Sequence, residues 1–200
     1  MTNEKKQELD ALCLKFRRTL IEILHERQTG HPGGSLSVCE ILTNLYFNDA
    51  NISPENINDR SRDKIVLCKG HAAPMLYLEL AEKGFFPMEE MHSLRQINSR
   101  LQGHPCSKET PGVEASTGPL GAGYPFALGM ALSDMHDGVD AYTYAILLDM
   151  AKDISGYDCV VLAQASMAHL DQKIEAICKI PVLSSPGLCM EQVKETLKTI

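Results

Sequence analysis

Three histidines that each follow a glycine are the residues of this sequence best suited to chemistry. They are His31, His71 and His104, and a proline follows the first and the last of them. Glycine lets a ligand come close, and proline fixes the backbone that aims the ring. A neutral imidazole donates one hydrogen bond and accepts another, so a cluster of them could hold diphosphate oxygens and move protons on substrate hydroxyl groups. The alternative is that each is an ordinary turn histidine without chemistry.

A glycine-rich stretch, residues 112–123, is the second chemical feature, and we name it the glycine loop. Four glycines fall within it, and an apolar run with small residues follows at once. This pattern predicts a tight loop that leads into a helix N-terminus, whose unpaired N–H groups suit a diphosphate. The spacing is neither that of the dinucleotide-binding fingerprint nor that of a P-loop. An ordinary glycine-rich turn is the alternative interpretation.

Charge and hydropathy exclude some partners. The net charge is -7 and no basic cluster occurs, which argues against nucleic acid and anionic membranes as partners. No apolar run approaches the roughly 18 residues that would suggest a membrane span, and the first residues lack the apolar region of a secretory signal. Seven cysteines, an odd number without C-x-x-C spacing, favour reduced thiols over disulfides or zinc. A cytoplasmic protein is therefore expected.

The elements that must position these residues follow from apolar periodicity. A first helix is predicted over residues 4–27, and a second from a cap at Ser35 or Ser37 through Leu45. A third follows Ala72 and runs to about Lys83, and a shorter one lies near 88–95. The last follows the glycine loop and ends near Asp137. Residues 28–34 are predicted to be a loop. Buried strands are predicted near 64–68, 142–148, 158–163 and 181–184.

This order of elements predicts an α/β fold. We expect a mostly parallel sheet with helices on both faces and a long N-terminal helix packed outside it. At 200 residues the chain fits one such domain, or one and a half small ones. The Gly-His turn that follows the first strand should lie at the carboxyl edge of the sheet, where ligands bind in open α/β folds.

Four motifs in order resemble transketolase, and they resemble most the N-terminal, diphosphate-binding subunit of split transketolases. They occupy residues 29–34, 67–74, 101–105 and 112–121, and the resemblance runs from near the N-terminus to about Ile146. The family transfers a two-carbon ketol unit between sugar phosphates, with thiamine diphosphate as the electron sink. The resemblance therefore implies a thiamine diphosphate-binding fold, here truncated.

Roles carried over from the family fall on six residues. The resemblance implies that His31 and His104 are catalytic residues that meet the substrate. It also implies that the cofactor is bound by His71, Gly118, Pro119 and Leu120. In this family the cofactor lies between a diphosphate-binding and a pyrimidine-binding domain, and nothing here matches the latter. The resemblance therefore implies a sugar phosphate substrate, a dimer or higher oligomer, and a separate C-terminal transketolase subunit.

The metal motif departs from the family pattern. The family binds Mg²⁺ through the aspartate of a Gly-Asp-Gly sequence and through a later asparagine. Here the residues are Leu148, Asp149 and Met150, and no asparagine follows Asn98. The resemblance implies that Asp149 is a metal ligand in an incomplete Mg²⁺ site.

From about residue 148 the chain resembles the C-terminal end of the aspartate/glutamate/hydantoin racemase superfamily. Those enzymes move a proton between two cysteine thiols, and Ser166 stands where the second cysteine is expected. Two segments are thus expected, a diphosphate-binding module over 1–147 and a racemase-like segment over 148–200, packed on the same sheet. The junction near 147–151 is either a natural chimera or a sequence error.

Three functions remain open from the sequence. The first is a transketolase-type subunit, truncated and impaired. The second is a folded but inactive chimeric remnant, and the third is an isomerase of the racemase type.

Overall fold

Two parallel strands flanked by helices form the centre of the part of the chain that the structure describes. The structure is a computed structural model, and it describes residues 1–119 and 121–147 together with the backbone of two short strands at 160–162 and 182–184. Its elements are α1 (Asn3–Arg27), α2 (Pro32–Leu36), α3 (Cys39–Asn44), β1 (Lys64–Leu67), α4 (Ala73–Lys83), α5 (Gly123–Asp137), β2 (Thr143–Ile146), β3 (Val160–Leu162) and β4 (Val182–Ser184).

The strands pair in parallel. β1 pairs with β2, with Lys64 opposite Thr143 and Leu67 opposite Ile146. β3 pairs with β4 in a second parallel pair. All four predicted strands are confirmed, each shorter than predicted, and the fold class is α/β.

Helices cover both faces of the first pair. Successive side chains of a strand point to opposite faces. Ile65 and Leu67 join the larger core, to which α1, α3 and α4 contribute. Val66 and Cys68 pack with Ala127 of α5 on the other face. The two-sided arrangement expected from the sequence is therefore present in this pair.

Helix α1 follows the predicted bounds to within one residue. The Thr2 side chain caps its start by accepting a hydrogen bond from the Lys5 N–H at 3.2 Å. It ends at Gln28, whose φ of 49° is left-handed. The buried side chains of this helix are Leu9, Cys13, Phe16, Leu20, Ile23 and Leu24.

The predicted loop over residues 28–34 is wrong in its last three residues, because α2 begins at Pro32. Proline is tolerated at a first helical position, where its missing N–H would have no partner. Neither predicted serine cap is present. Ser37 instead donates a hydrogen bond from Oγ to the Gly34 carbonyl oxygen at 2.9 Å, and α3 continues into a π-helical turn over Leu45–Asp49.

Several predictions fall outside the described residues. Leu120, Asp149 and Ser166 are among them, as is the segment 148–151 that contains most of the expected junction. None of the helices in the described part is both long and apolar enough to cross a bilayer.

Two glycines of α5 allow a matched test of how closely this helix approaches β1. A Cβ at Gly123 would lie 2.5 Å from Cys68 Cα, whereas a Cβ at Gly129 would meet nothing within 4 Å. We expect Gly123→Ala to lower the free energy of unfolding by about 1–3 kcal/mol, since backbone must move. Gly129→Ala should raise it by about 0.5–1 kcal/mol through helix propensity. Urea unfolding measures both, and equal effects would contradict the close approach.

Candidate functional site

The carboxyl end of β1 leads directly into the site. After Leu67 the chain passes through Cys68 and Lys69 into a 3-10 turn, Gly70–Ala72, which carries His71. Helix α4 follows without a break. The turn therefore lies at the carboxyl edge of the strand, where open α/β folds bind ligands.

The glycine loop crosses this edge in backbone contact with it. The Thr117 hydroxyl donates a hydrogen bond to the Leu67 carbonyl oxygen at 2.7 Å. A Cβ at Gly70 would lie only 2.6 Å from the Thr117 carbonyl oxygen. Near its start, the loop is anchored by a partly buried ion pair between Glu114 and Arg62. The loop is thus fixed both near its start and at its crossing of the strand end.

His31 and His71 stand edge to face. Their ring centroids are 5.6 Å apart with an interplanar angle of 69°. The His71 ring also lies against α2, because a Cβ at Gly34 would be 2.8 Å from His71 Cδ2. Glycine at position 34 therefore makes room for this imidazole.

His104 lies beside the glycine loop. A Cβ at Gly118 would lie 3.7 Å from His104 Cγ and Cδ2. The Thr117 N–H donates a hydrogen bond to the Pro105 carbonyl oxygen at 3.3 Å. The hydroxyl of buried Tyr77 lies 3.2 Å from the His104 carbonyl oxygen. The His104 segment is thereby held between α4 and the loop.

The structure brings His31, His71 and His104 into one electrostatic neighbourhood, which we call the histidine cluster. His31 and His104 are exposed and His71 is half-buried. The pKa of His71 is lowered, first by burial and then by the positive charges of Lys69, His31 and His104. Basic side chains therefore gather at this edge of a chain whose net charge is -7, and a bound anion would favour their protonated forms.

Lys69 is a site residue that the sequence motifs contained but to which they assigned no role. Its side chain is 0% exposed, and burial lowers its pKa to about 7. Its Nζ lies 2.7 Å from Ser37 Oγ. The signal in the sequence is a lysine placed immediately after the apolar run of residues 65–68.

Arg95 was missed by sequence reasoning altogether. It takes a left-handed φ of 60° and donates from Nη1 to Thr29 Oγ1 at 2.6 Å. Its guanidinium fills the space beside Gly103, where a Cβ would lie 2.5 Å from Nε. Arg95 thus links the segments that precede His31 and His104. No local pattern indicates this role.

The N-terminus of α5 completes the site. Ala122 precedes it and gives no side-chain cap, so the first N–H groups and the positive end of the helix dipole are available to an anion. Gly118 is half-buried and Pro119 exposed, while Leu120 lies outside the described residues. An imidazole, a buried ammonium group and a helix start together fit a diphosphate, and the exposed imidazoles fit proton transfer.

A metal site is not described at this edge. In the part of the chain that the structure describes, the His, Cys, Asp and Glu side chains close enough together to hold a metal are Cys13, Cys39 and Glu40. The predicted ligand Asp149 lies outside that part.

Comparison with known proteins gives a family match. The family model for the thiamine diphosphate-binding domain of transketolase matches residues 10–174, which extends past the junction predicted near 147–151. The racemase-like assignment of the tail stays a prediction.

Curated relatives and solved structures agree with this match. The chain is 38% identical over 151 residues to the 6-deoxy-6-sulfo-D-fructose transketolase subunit SqwG of Clostridium sp. (strain MSTE9), covering 76% of this chain and 55% of that protein. It is 39% identical over 135 residues to an apulose-4-phosphate transketolase subunit of Phocaeicola vulgatus, covering 68% and 48%. It thus spans about half the length of these curated relatives. The transketolase structure from Campylobacter jejuni superimposes with a TM-score of 0.66 at 29% identity, covering 72% of this chain and 24% of that one.

Two adjacent glycines of α2 test the placement of the His71 ring. We expect Gly34→Ala to displace the imidazole, since the new methyl group would lie 2.8 Å from its Cδ2. Gly33→Ala is the matched control, because a Cβ there meets nothing within 4 Å. The ring resonances of His71, assigned by NMR with the help of a His71→Ala variant, should shift in the first variant and stay in the second. Unchanged resonances in Gly34→Ala would contradict this packing.

The buried ammonium group of Lys69 predicts a pH-dependent stability. Its pKa is about 7 in the folded chain against an ordinary value of 10.5, so between these values the unfolded chain binds more protons. The free energy of unfolding therefore rises with pH across this window, and Lys69→Met removes that rise. The difference in the free energy of unfolding between Lys69→Met and the unsubstituted protein should favour the variant most at about pH 6. This advantage should disappear by about pH 10.

Urea unfolding at both pH values measures this difference, and the Ser37 hydrogen bond largely cancels in the comparison. Lys108→Met, at an exposed position, reports the general effect of removing a positive charge. The same advantage for Lys69→Met at both pH values would disprove the buried, readily deprotonated state of Lys69.

Proposed function

We propose that this chain, which belongs to the transketolase family through its thiamine diphosphate-binding domain, is the diphosphate-binding subunit of a two-subunit transketolase. The observation that carries the proposal is the convergence of His31, His71 and His104 beside the glycine loop at the end of β1. Similar proteins are named as transketolase subunits. The partner would be a C-terminal subunit that supplies the other half of the cofactor site.

The cofactor residues follow from the geometry. When bound, thiamine diphosphate would supply a nucleophilic carbon for the ketose carbonyl and a cationic ring that takes up the electrons of a breaking carbon–carbon bond. His71 would donate a hydrogen bond to the diphosphate, helped by the N-terminus of α5. Gly118, Pro119 and Leu120 would lie against the cofactor. Lys69 would add positive charge behind His71, since that charge already acts on the His71 ring.

His31 and His104 would act on the substrate. Both imidazoles are exposed at the edge of the site, where a sugar could reach them. They would hold substrate hydroxyl groups, take a proton as the carbon–carbon bond breaks and return it as the new bond forms. The names of the relatives include a phosphorylated and a sulfonated sugar. We therefore propose an anionic ketose as the substrate class.

Magnesium is proposed on sequence grounds alone. Asp149 would bind it together with the diphosphate, while the missing asparagine would leave the site with fewer protein ligands than the family uses. Because Mg²⁺ is held by only a few protein oxygens, this loss would weaken cofactor binding. Because the asparagine of the metal site is missing, the proposed subunit is truncated and impaired.

A folded, inactive remnant is the second candidate. The observation that favours it is Leu148-Asp149-Met150 in place of Gly-Asp-Gly. In this version the chain is a chimera of a module over 1–147 and a racemase-like segment over 148–200 that covers the same sheet. Both candidates place the protein in the cytoplasm as a dimer or higher oligomer. The described cysteines, all free thiols, support a reducing compartment.

Calorimetry with thiamine diphosphate and MgCl₂ separates the two candidates. We expect binding once a C-terminal transketolase subunit is added. His71→Ala should weaken it about 10- to 100-fold, which corresponds to the loss of a hydrogen bond to a charged group. His31→Ala and His104→Ala should retain binding and lower ketol-transfer turnover by about 10²- to 10⁴-fold.

His136→Ala is the control, because this exposed histidine lies at the far end of α5 from the glycine loop. It should change neither binding nor turnover. A cooperative melting transition without cofactor binding, with or without the partner, would reject the enzyme and favour the remnant. Equal effects of His71→Ala and His136→Ala would reject the assigned roles.

A further inference from the structure

Two thiols and one carboxylate meet between α1 and α3, beside a buried carboxylate of α4, in a place that the proposed function does not use. Cys13 lies on α1, and Cys39 and Glu40 are the first two residues of α3. The two Sγ atoms and a carboxylate oxygen of Glu40 all lie within 4.8 Å of one another. Both thiols are buried, with Cys39 0% exposed.

Each carboxylate in this group keeps one oxygen without a hydrogen-bond partner. Glu40 accepts from Arg17 Nε through Oε1 at 3.1 Å, and its buried Oε2 has no partner. Glu79 is 0% exposed, accepts from the Thr43 hydroxyl through Oε1 at 2.8 Å, and leaves Oε2 without a partner. Burying such atoms is costly unless something binds them.

Thr43 connects Glu79 to the thiols. It lies one turn after Cys39 on α3, and its hydroxyl donates a hydrogen bond to Glu79 Oε1 at 2.8 Å. The Glu79 carboxyl group of α4 therefore lies one hydrogen bond away from the turn of α3 that carries Cys39. Helices α1 and α3 bring three ligand atoms together, and α4 holds a fourth carboxylate beside them through Thr43.

We propose that Cys13, Cys39, Glu40 and Glu79 form a structural site for a thiophilic divalent cation, with Zn²⁺ as the ion whose ligand preferences match. Zn²⁺ takes four ligands at about 2.3 Å to sulfur and about 2.0–2.2 Å to carboxylate oxygen. Ligand atoms in such a site are separated by about 3.5–3.8 Å. The two sulfur atoms and the Glu40 oxygen, at most 4.8 Å apart, would reach that spacing with small rotations of the side chains, and Glu79 would turn its second oxygen toward them as the fourth ligand.

A cation accounts for the whole group, whereas a disulfide does not. A bond between the two sulfur atoms would use both thiols and leave both carboxylate oxygens without a partner. An ion would bind all four atoms at once and offset their charge. It could enter from solvent past Arg17 and Glu40, whose side chains are each 30% exposed.

The site would stabilise the segment between α2 and α3, which lies beside the histidine cluster. Cys39 follows Ser37 by two residues, and Ser37 contacts Lys69. An ion shared between α1, α3 and α4 would fix the segment that joins α2 to α3. This role does not depend on the proposed function, because it concerns the stability of the domain.

Cobalt titration of the reduced full-length chain tests the site. Co²⁺ bound by thiolates gives a charge-transfer band, and we expect one ion per chain, displaced by Zn²⁺. Cys13→Ser and Cys39→Ser should each abolish the band, and Glu79→Gln should weaken Co²⁺ binding by at least about tenfold. Cys68→Ser and Cys106→Ser, at the other two cysteines in the described part, are matched controls that should keep it.

Thermal melting gives a second readout, which does not require the serine variants to fold. Zn²⁺ should raise the melting temperature of the unsubstituted protein, and raise that of Glu79→Gln much less. The proposal is overturned if the reduced protein shows no band, or if the band persists in Cys13→Ser and Cys39→Ser. A mass loss of two hydrogens without Co²⁺ binding would identify a disulfide instead.

Discussion

Backbone contact between the glycine loop and the end of β1 is the constraint on which the rest of the structure depends. The Thr117 carbonyl oxygen and the Cys68 Cα each occupy space that a Cβ on the facing glycine would need. The turn after β1 and the loop can therefore approach only as backbone against backbone. His71 is carried by the turn and His104 packs beside the loop, so this contact brings the two imidazoles to the same edge.

The site that results buries basic groups at a cost in stability. Burial lowers the pKa of Lys69 to about 7 and, with the neighbouring charges, lowers the pKa of His71 as well. Burial is the main cause of both shifts, because removal from water disfavours the charged form of each group. An anion bound at this edge would favour the protonated form of both groups and so oppose both shifts. The same burial that destabilises the unliganded domain would therefore be offset in part by a bound anion.

Sequence reasoning succeeded where local pattern decides structure. The apolar runs predicted all four strands, and the 3.6-residue period predicted α1 because one face of that helix is buried along its length. It failed at Pro32, because a helix begins there with proline at its first position and continues through Gly33 and Gly34. The role of Arg95 and the proximity of Cys13 to Cys39 depend on tertiary contacts, so no local pattern could show them. For Lys69 the local signal was its place after an apolar run. The position of Leu120 and the ligand Asp149 stay predictions.

The histidine cluster and the proposed metal ligand Asp149 lie in separate stretches of the chain. Every residue of the histidine cluster precedes residue 119, and β2, the strand that pairs with β1, ends at Ile146. The contacts that position the imidazoles therefore form within the first 147 residues, whatever the tail contributes. The metal ligand proposed at Asp149 follows immediately after this unit. In the proposed subunit, a change at Asp149 and a change in the histidine cluster would therefore impair cofactor binding through separate parts of the chain.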